Sequence, residues 1–254
     1  MQPPFDITDH MLNRIVEISE LVGELKSEYE RNLHMRKDNR IRSIQSSLAI
    51  ENNTLTIQQV TDIIDGKRIL GSPKEIKEVK NAYGAYEAIL SFDPYSVEDF
   101  LKAHGYLTNE LVEFSGRFRQ KDVGIFDAKG NVVHVGARPQ FIVSLVEELF
   151  SWSKTASTPA LIKSCVIHYE IEAIHPFEDG NGRIGRFWQN VILSGWQPIF
   201  AWIPFETIIY EHQQQYYDVL ALADKDNNST KFIEFMLDVI LETLQKYPKK
   251  DDVQ

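Results

Sequence analysis

The residues best suited to chemistry are crowded into positions 175–186, which read HPFEDGNGRIGR. The segment combines one histidine, two carboxylates, three glycines, one asparagine and two arginines. Glycine lets backbone N–H groups approach a ligand closely, and a helix N-terminus adds unpaired N–H groups with partial positive charge. Each feature alone is typical of a solvated loop, but their combination between two apolar segments predicts a binding site for a polyphosphate.

Each residue type in this segment suits one part of such a site. Arg183 and Arg186 are three residues apart and share a helix face, where two guanidinium groups suit successive phosphates. Asp179 is the candidate Mg²⁺ ligand, because Mg²⁺ on nucleotides is usually held by one or two carboxylates and phosphate oxygens. His175 is the candidate general base, since an imidazole accepts a proton near neutral pH. Gly180 and Gly182 let backbone N–H groups approach a ligand, and the side-chain amide of Asn181 either orients the loop or contacts a ligand oxygen.

The segments that must position these residues are predicted to be helical. Positions 160–174 (ALIKSCVIHYEIEAI) form an apolar helix that leads straight into His175, and FWQNVILSG forms a second one, closed by Gly195. Two more helices are expected around 205–222 and 229–245. Near the N-terminus, apolar residues at steps of three and four mark one buried helix face: Leu12, Ile15, Ile18, Leu21, Val22, Leu25 and Tyr29.

The N-terminal third carries further helix signals. The charge-rich stretch 35–42 (MRKDNRIR) is expected to be a bend, followed by a helix at about 41–51. Two capping boxes are predicted, one at Thr56–Gln59 and one at Ser72–Glu75, where proline takes the first helical position.

One short β-hairpin interrupts the helical pattern. Lys129-Gly130-Asn131 is a turn signal, and the strand formers after it are Val132, Val133 and Val135. The predicted fold class is therefore all-α with one short hairpin. The break at SFDPYS separates an N-terminal helical lobe at 1–95 from a core at 96–246, and a disordered tail is expected at 247–254.

Composition excludes several classes of protein. A chain of 254 residues with 43% hydrophobic content can bury a sizeable core, and its net charge of -10 argues against general attraction to nucleic acid. Cys165 is the single cysteine, so no disulfide framework is possible, and both it and His168 are expected to be core residues. MQPPFDITDH has no signal-peptide pattern, and no apolar run approaches the roughly 20 residues that span a bilayer. The expectation is a cytoplasmic protein without membrane contact.

The segment 175–186 and three further segments resemble those of a known family. HPFEDGNGRIGR is similar to the signature of the Fic family, H-x-F-x-D/E-G/A-N-G/K-R-x-x-R, and every fixed position is present. GRFR (116–119), VVHVGARP (132–139) and QQYYDVLALAD (214–224) resemble, in the family's order, the segment before the flap, the flap hairpin and a tyrosine pair near adenine. The resemblance implies a Fic-type helical core with this hairpin as its flap.

The resemblance also implies a reaction. Most Fic proteins transfer AMP from ATP to a Ser, Thr or Tyr hydroxyl of a target protein. His175 would deprotonate that hydroxyl, and Asp179 would hold Mg²⁺ between the α- and β-phosphates. Arg183 and Arg186 would bind the outer phosphates and help pyrophosphate leave. The α-phosphate would be held by Asn181 and the backbone amides of Gly180 and Gly182. A branch resembling Doc toxins phosphorylates its target and has Lys where Gly182 stands, so Gly182 favours nucleotidyl transfer.

Further residues follow from the same resemblance. A target protein would add a strand to the hairpin near 132–139. Tyr216 and Tyr217 either line an adenine pocket or form a helix-packing pair, and Asp224 stands where the family often has Asn, which leaves the base preference open. Relatives often dimerise, so a homodimer is a further implied partner. The hairpin positions that would face nucleotide or target are Val135, Gly136, Ala137 and Arg138.

A second motif lies in SSLAIENN (46–53). Ser47, Glu51 and Asn52 resemble the family's inhibitory motif, S/T-x-x-x-E-G/N. The implied mechanism is competition: Glu51 pairs with Arg186, takes that guanidinium from the γ-phosphate, and leaves ATP only a non-productive pose. The lobe at 1–95 would then be regulatory.

Two alternatives stay open at this point. In the first, Glu51 aligns a water molecule that removes AMP from a modified protein. In the second, the chain is a non-catalytic helical module that binds nucleotide or protein, although simple binding needs neither His175 nor Asp179. A metal-dependent hydrolase is less favoured, because no second cluster of histidines and carboxylates has ligand spacing.

Overall fold

The computed structural model describes residues 2–126 and 132–246 and is predominantly helical, as predicted. In chain order the helices and strands are α1 (Asp9–Arg31), α2 (Leu33–Ile50), α3 (Ile57–Ile64), α4 (Pro73–Glu87), α5 (Val97–Thr108), β1 (Gly124–Phe126), β2 (Val132–Val135), α6 (Pro139–Thr155), α7 (Ala160–Ile174), α8 (Asn181–Trp196), α9 (Phe205–Glu211), α10 (Gln213–Asp226) and α11 (Thr230–Gln245). Short 3₁₀ turns lie at Ile89–Ser91 and Pro198–Trp202. None of the described helices is long and apolar enough to cross a bilayer.

One of the two predicted capping boxes is present. Thr56 accepts a hydrogen bond from the backbone of Gln59, whose side chain bonds back to Thr56. Ser72 precedes α4 but makes no side-chain cap bond. The Glu75 carboxylate also accepts from the backbone N–H and the hydroxyl of Thr54, at 2.6 Å and 2.8 Å. Because the Ser72 side-chain bond is missing, the prediction of a second capping box is wrong.

Three predicted boundaries are also wrong. The stretch 35–42 is not a bend: α2 begins at Leu33, after the Asn32 side chain caps the Met35 N–H. Gly195 does not close α8, which continues to Trp196. The helix expected at 205–222 is two helices, because the chain breaks at His212. Of the residues assigned to the buried face of α1, Leu12 is 50% exposed.

The core lies on both sides of α7, which is buried along nearly its whole length. One apolar cluster joins α7 to α1 and α11. The other joins α7 and α8 to the five helices α2, α3, α4, α5 and α6. Each cluster takes residues from both sides of position 95, so the helices at 1–95 have no separate core among the described residues. The division into 1–95 and 96–246 remains a proposal.

The hairpin pairs β1 with β2 in antiparallel register. Gly124 faces Val135, Ile125 faces His134 and Phe126 faces Val132, with an irregularity between Ile125 and Phe126. The predicted turn at 129–131 and the predicted tail at 247–254 lie outside the described residues. The hairpin packs against the end of α7, where the candidate site begins.

Candidate active site

His175 ends α7 in the left-handed conformation, with φ 52° and ψ 60°. Its N–H still bonds to the Ile171 carbonyl at 2.9 Å, and Pro176 then prevents another helical turn. Nδ1 of His175 lies 3.4 Å from the carbonyl oxygen of Glu172. A proton held on Nδ1 by that carbonyl would make Nε2 the nitrogen that accepts a proton from a substrate.

A buried arginine fixes this helix end to the hairpin. Arg119 is 2% exposed, and its guanidinium donates to four backbone carbonyls: His175 at 2.7 Å, Lys121 at 2.6 Å, Ala137 at 2.5 Å and Ile174 at 3.4 Å. Burial lowers the pKa of Arg119. The planar guanidinium of Arg119 therefore connects both ends of the hairpin to His175, the candidate general base.

Replacing Arg119 by lysine should destabilise the protein. A lysine ammonium is a point donor and cannot serve carbonyls spread around a fork, so buried acceptors lose their partners. We expect the free energy of unfolding to fall by about 2–4 kcal/mol in urea titrations. Arg117→Lys is the matched control because Arg117 is exposed. A loss at Arg119 no larger than that of the control would contradict the clamp.

The loop after His175 is held by its own side chains. Phe177 is fully buried, and its ring stacks on His104 with centroids 3.6 Å apart. The Asn181 amide accepts from the Phe177 N–H and donates to the Phe177 carbonyl, both at 2.9 Å. Of the two roles predicted for the Asn181 side chain, orienting the loop is therefore the one seen here.

His104 supports the same loop from behind. Burial lowers the pKa of His104 to about 4, so the ring is neutral at physiological pH. Its Nδ1 accepts from the Gly116 N–H at 3.0 Å, which leaves Nε2–H to donate to the Asp179 carbonyl at 3.0 Å. Gly180 then takes φ 84°, and a Cβ there would lie 2.9 Å from Thr108, so the turn requires glycine.

The first turn of α8 presents donors without partners. Arg183 is 5% exposed, and its Nη2 donates to Asp179 Oδ1 at 2.9 Å. Its Nε and Nη1 are buried and have no hydrogen-bond partner within the described part of the chain. Buried cationic N–H groups are rarely left unpaired, so this arrangement fits an anion at the start of α8.

The candidate metal ligand is more open. The Asp179 side chain is 52% exposed, and no group of three or more metal-ligating side chains exists among residues 2–126 and 132–246. We call the anion site formed by Arg183, Arg186 and the backbone N–H groups at the start of α8 the cradle. A single exposed carboxylate beside this cradle suits Mg²⁺, which takes most of its other ligands from water and phosphate oxygens. The donor set therefore fits a metal that arrives with a nucleotide.

Arg186 meets the second motif. It is 1% exposed, and its Nη2 donates to Glu51 Oε1 at 2.6 Å and to the Ser47 carbonyl at 3.1 Å. Its Nε donates to Ser47 Oγ at 3.3 Å. Burial opposes the charge, but Glu51, Tyr216 and Glu172 together outweigh it and raise the pKa of Arg186 above its usual range.

The same contact brings Glu51 over the start of α8. A Cβ added to Gly182 would collide with Glu51 Oε1. Asn52 follows in the left-handed region, with φ 66°, where asparagine or glycine is favoured. That conformation is a physical reason for an Asn or Gly after the glutamate, since it turns the chain at the end of α2.

The hairpin end lies directly against His175. The Gly136 N–H bonds to the Val123 carbonyl at 3.3 Å, and a Cβ there would lie 3.0 Å from the His175 Cβ. The Ala137 N–H donates to the Ile174 carbonyl at 3.0 Å. Val135 and Arg138 are exposed on either side. Of the four hairpin positions named from the sequence, Gly136 and Ala137 therefore lie at the general-base candidate, with Val135 and Arg138 next to them in the chain.

The three α10 positions named from the sequence differ in burial and in hydrogen-bond partners. Tyr216 is buried, and its hydroxyl lies 2.9 Å from His168 Nε2 and 3.4 Å from Glu172 Oε1, which favours the packing role for this tyrosine. Tyr217 is half-exposed and donates to the Ile50 carbonyl at 3.3 Å. Asp224 is exposed on the same helix.

Sequence reasoning missed two residues that shape the site. Arg119 lay within a segment noted only for its resemblance, and His104 was not singled out. Both act through contacts distant in the chain, for which no local spacing gives a signal.

The fold and part of the chain match known proteins. A family model described as Fic/DOC family matches residues 94–193. A solved structure of a Fic family protein from Desulfovibrio desulfuricans G20 superposes with a TM-score of 0.93 at 45% identity, over 97% of this chain and 76% of that one. A structure of Fic-1 from Caenorhabditis elegans, at 21% identity, shares the fold with a TM-score of 0.73.

Curated relatives carry an activity in their names. "Protein adenylyltransferase Fic" from Aedes aegypti is 28% identical over 95% of this chain and 49% of its own length. "Protein adenylyltransferase fic-1" from C. elegans is 25% identical over 89% and 46%. The chain thus spans about half the length of these relatives. The helical fold with its hairpin, the signature at 175–186 and the identity to the Desulfovibrio protein show that the chain belongs to the Fic/DOC family.

Proposed function

We propose that the chain is a protein adenylyltransferase, which transfers AMP from ATP to a Ser, Thr or Tyr hydroxyl of a protein. The observation that carries the proposal is that two buried nitrogens of Arg183, Nε and Nη1, have no hydrogen-bond partner among the described residues. They lie beside the N-terminus of α8, a short loop away from His175. An anion held there lies between a cationic cradle and a general base. The names of the curated relatives support the same activity.

His175 supplies the base for this transfer. It takes the proton of the target hydroxyl as the oxygen attacks the α-phosphorus, and the bond from that phosphorus to pyrophosphate breaks. Backbone N–H groups at the start of α8 stabilise the charge that develops on the α-phosphate, while Arg183 and Arg186 bind the outer phosphates. Asp179 would hold Mg²⁺, which when bound neutralises phosphate charge. Gly182, where the Doc-like branch has lysine, favours nucleotidyl over phosphoryl transfer.

The hairpin is the proposed docking place for the target protein. β2 pairs with β1 on one side only among the described residues, and Val135 at its end is 66% exposed. An extended peptide could add to the free edge near 132–139 through backbone hydrogen bonds, which tolerate many sequences. This geometry would carry a hydroxyl on the peptide to His175.

The contact between Glu51 and Arg186 is the proposed inhibitory device. Glu51 occupies Arg186 with a carboxylate and lies against Gly182, where the nucleotide phosphates would bind. A negative group in that position repels the phosphates and withholds one of their cationic partners. Nucleotide then binds productively only when α2 moves its last turn away.

The reverse reaction is the second candidate. The Glu51 side chain is 38% exposed although it pairs with a buried arginine. A partly hydrated carboxylate over the start of α8 can hold a water molecule and direct it at an AMP–protein bond. Glu51 would then be a catalytic group for removal and an obstacle for transfer.

Labelled nucleotides decide between these functions. Wild-type protein and the Glu51→Gly variant are incubated with Mg²⁺ and ATP labelled at either the α- or the γ-phosphate, and protein-bound label is counted. The proposal predicts label from the α-position only. Label from the γ-position would indicate phosphoryl transfer, and no label from either would support the non-catalytic module. Incubation with an AMP-modified protein tests removal, which Glu51→Gly should abolish if Glu51 directs the water.

A further inference from the structure

A buried carboxylate touches the inhibitory helix one turn from Ser47. Glu206, in the first turn of α9, is fully buried. Its Oε1 accepts from the Tyr86 hydroxyl at 2.7 Å, and its Oε2 accepts from the Ser43 hydroxyl at 2.9 Å. Ser43 and Ser47 are four residues apart on α2, so they lie on the same helix face. Neither the proposed reaction nor the proposed inhibitory contact uses Glu206.

Further hydrogen bonds join α2 to α9 and α10 toward the end of α2. Ser46 Oγ donates to Thr207 at 3.2 Å, while Gln213 and Tyr217 donate to the Ile50 carbonyl at 3.1 Å and 3.3 Å. Directional bonds at successive turns resist sliding, because a shift of one residue breaks all of them.

The ionisation of Glu206 is also coupled to this arrangement. Burial raises the pKa of this carboxyl, and the hydrogen bond from Tyr86 is the largest contribution that opposes the increase. Arg186 also favours the ionised form. α2 therefore lies between a buried acid, which binds Ser43, and a buried cation, which binds Ser47 and Glu51. A buried ionisable group is costly, and fixing one arrangement is a recognised reason to retain it.

We propose that Glu206 is a positioning residue for inhibition: it sets the axial position of α2 at Ser43 so that Glu51 reaches Arg186. The inference rests on the proposed function. Glu206 touches neither nucleotide nor target in this scheme and acts only through Glu51. Loss of its contact lets α2 slide or loosen, so that Glu51 leaves Arg186 more often.

A double-mutant cycle tests this dependence. Glu206→Ala should raise labelling by α-labelled ATP about tenfold in the wild-type background, as expected for the loss of two buried hydrogen bonds. In the Glu51→Gly background it should change labelling less than about twofold, because its only route of action is gone. Glu206→Gln should stay close to wild type, since its amide oxygen can accept from Tyr86 while its NH₂ donates to Ser43.

A second measurement does not depend on turnover. Hydrogen exchange of the backbone amides at 44–53 should be faster in Glu206→Ala than in wild type, without nucleotide. Val239→Ala, in buried α11, is the stability control and should leave exchange at 44–53 unchanged. If Glu51→Gly shows no transfer, the proposed function fails, yet exchange still reports whether Glu206 holds α2.

Several outcomes would overturn the inference. Unchanged exchange at 44–53 in Glu206→Ala would do so, as would an equal rise in labelling in both backgrounds. The same rise in Val239→Ala would reduce the effect to general destabilisation. If Glu206→Ala does not fold, Ser43→Ala replaces it in both measurements. A smaller effect of the same sign then supports the inference, and no effect contradicts it.

Discussion

Replacement of His175 by alanine is expected to lower AMP transfer by about 10²- to 10⁴-fold, the usual contribution of a positioned general base. Alanine cannot accept the hydroxyl proton, so the attacking oxygen stays a weak nucleophile. The phosphate cradle does not depend on the imidazole, because Arg183, Arg186 and the amides of α8 are held by other contacts. ATP affinity, measured by calorimetry in the Glu51→Gly background, should therefore change by less than about threefold.

The control for this prediction is His10→Ala. His10 lies on α1 and pairs with Asp238 at 3.0 Å, away from the end of α7. It should leave transfer unchanged. A His175→Ala protein that still transfers AMP at a rate near its parent would remove the general-base role. A variant that loses ATP binding together with activity would place His175 in the cradle instead.

Replacement of Glu51 by glycine is expected to raise transfer by about 10- to 100-fold, the change produced when a competent state rises from about 1–10% of the molecules to nearly all. The variant removes the carboxylate that pairs with Arg186 and overhangs Gly182. Initial rates of labelling with α-labelled ATP measure the effect. Automodification should increase in parallel with modification of a target.

Glu110→Gly is a matched control for this second variant. Glu110 is also a carboxylate paired with a cation, Lys77 at 2.9 Å, and it adopts a positive φ that glycine tolerates. It should leave transfer unchanged. No gain in Glu51→Gly, with ATP binding intact, would count against inhibition by this contact. Loss of AMP removal in the same variant would favour the reverse reaction.

The elements that sequence predicted best are those with local determinants. The predicted span of α7, 160–174, is the observed one, because Pro159 precedes it and His175 turns the chain after it. The capping box at Thr56 is likewise made within four residues. In contrast, 35–42 is helical: Asn32 caps the helix before it, and its charges have distant partners, such as Asp65 for Lys37 and Glu87 for Arg40. A window of sequence cannot show those partners, so a charge-rich helix resembled a bend.

In the candidate site, too, local arrangements could be predicted from the sequence and long-range contacts could not. Twelve consecutive residues can reveal a base, a carboxylate and two arginines, since a loop and one helix turn bring them together. The pairing of Glu51 with Arg186 spans 135 positions and came only from resemblance to a family motif. Arg119 has carbonyl partners up to 56 positions away, and no pattern of side chains marks backbone acceptors in advance. Adjacent Tyr216 and Tyr217 point to different environments because successive helical residues are about 100° apart.

The most direct test of the central claim is a crystal structure of the Glu51→Gly variant with a non-hydrolysable ATP analogue and Mg²⁺. The account predicts triphosphate at the start of α8, Arg183 and Arg186 on its outer phosphates, and the imidazole of His175 facing the α-phosphorus. An imidazole turned away from that atom would contradict it. So would a cleft that stays closed to nucleotide after the carboxylate at position 51 is gone.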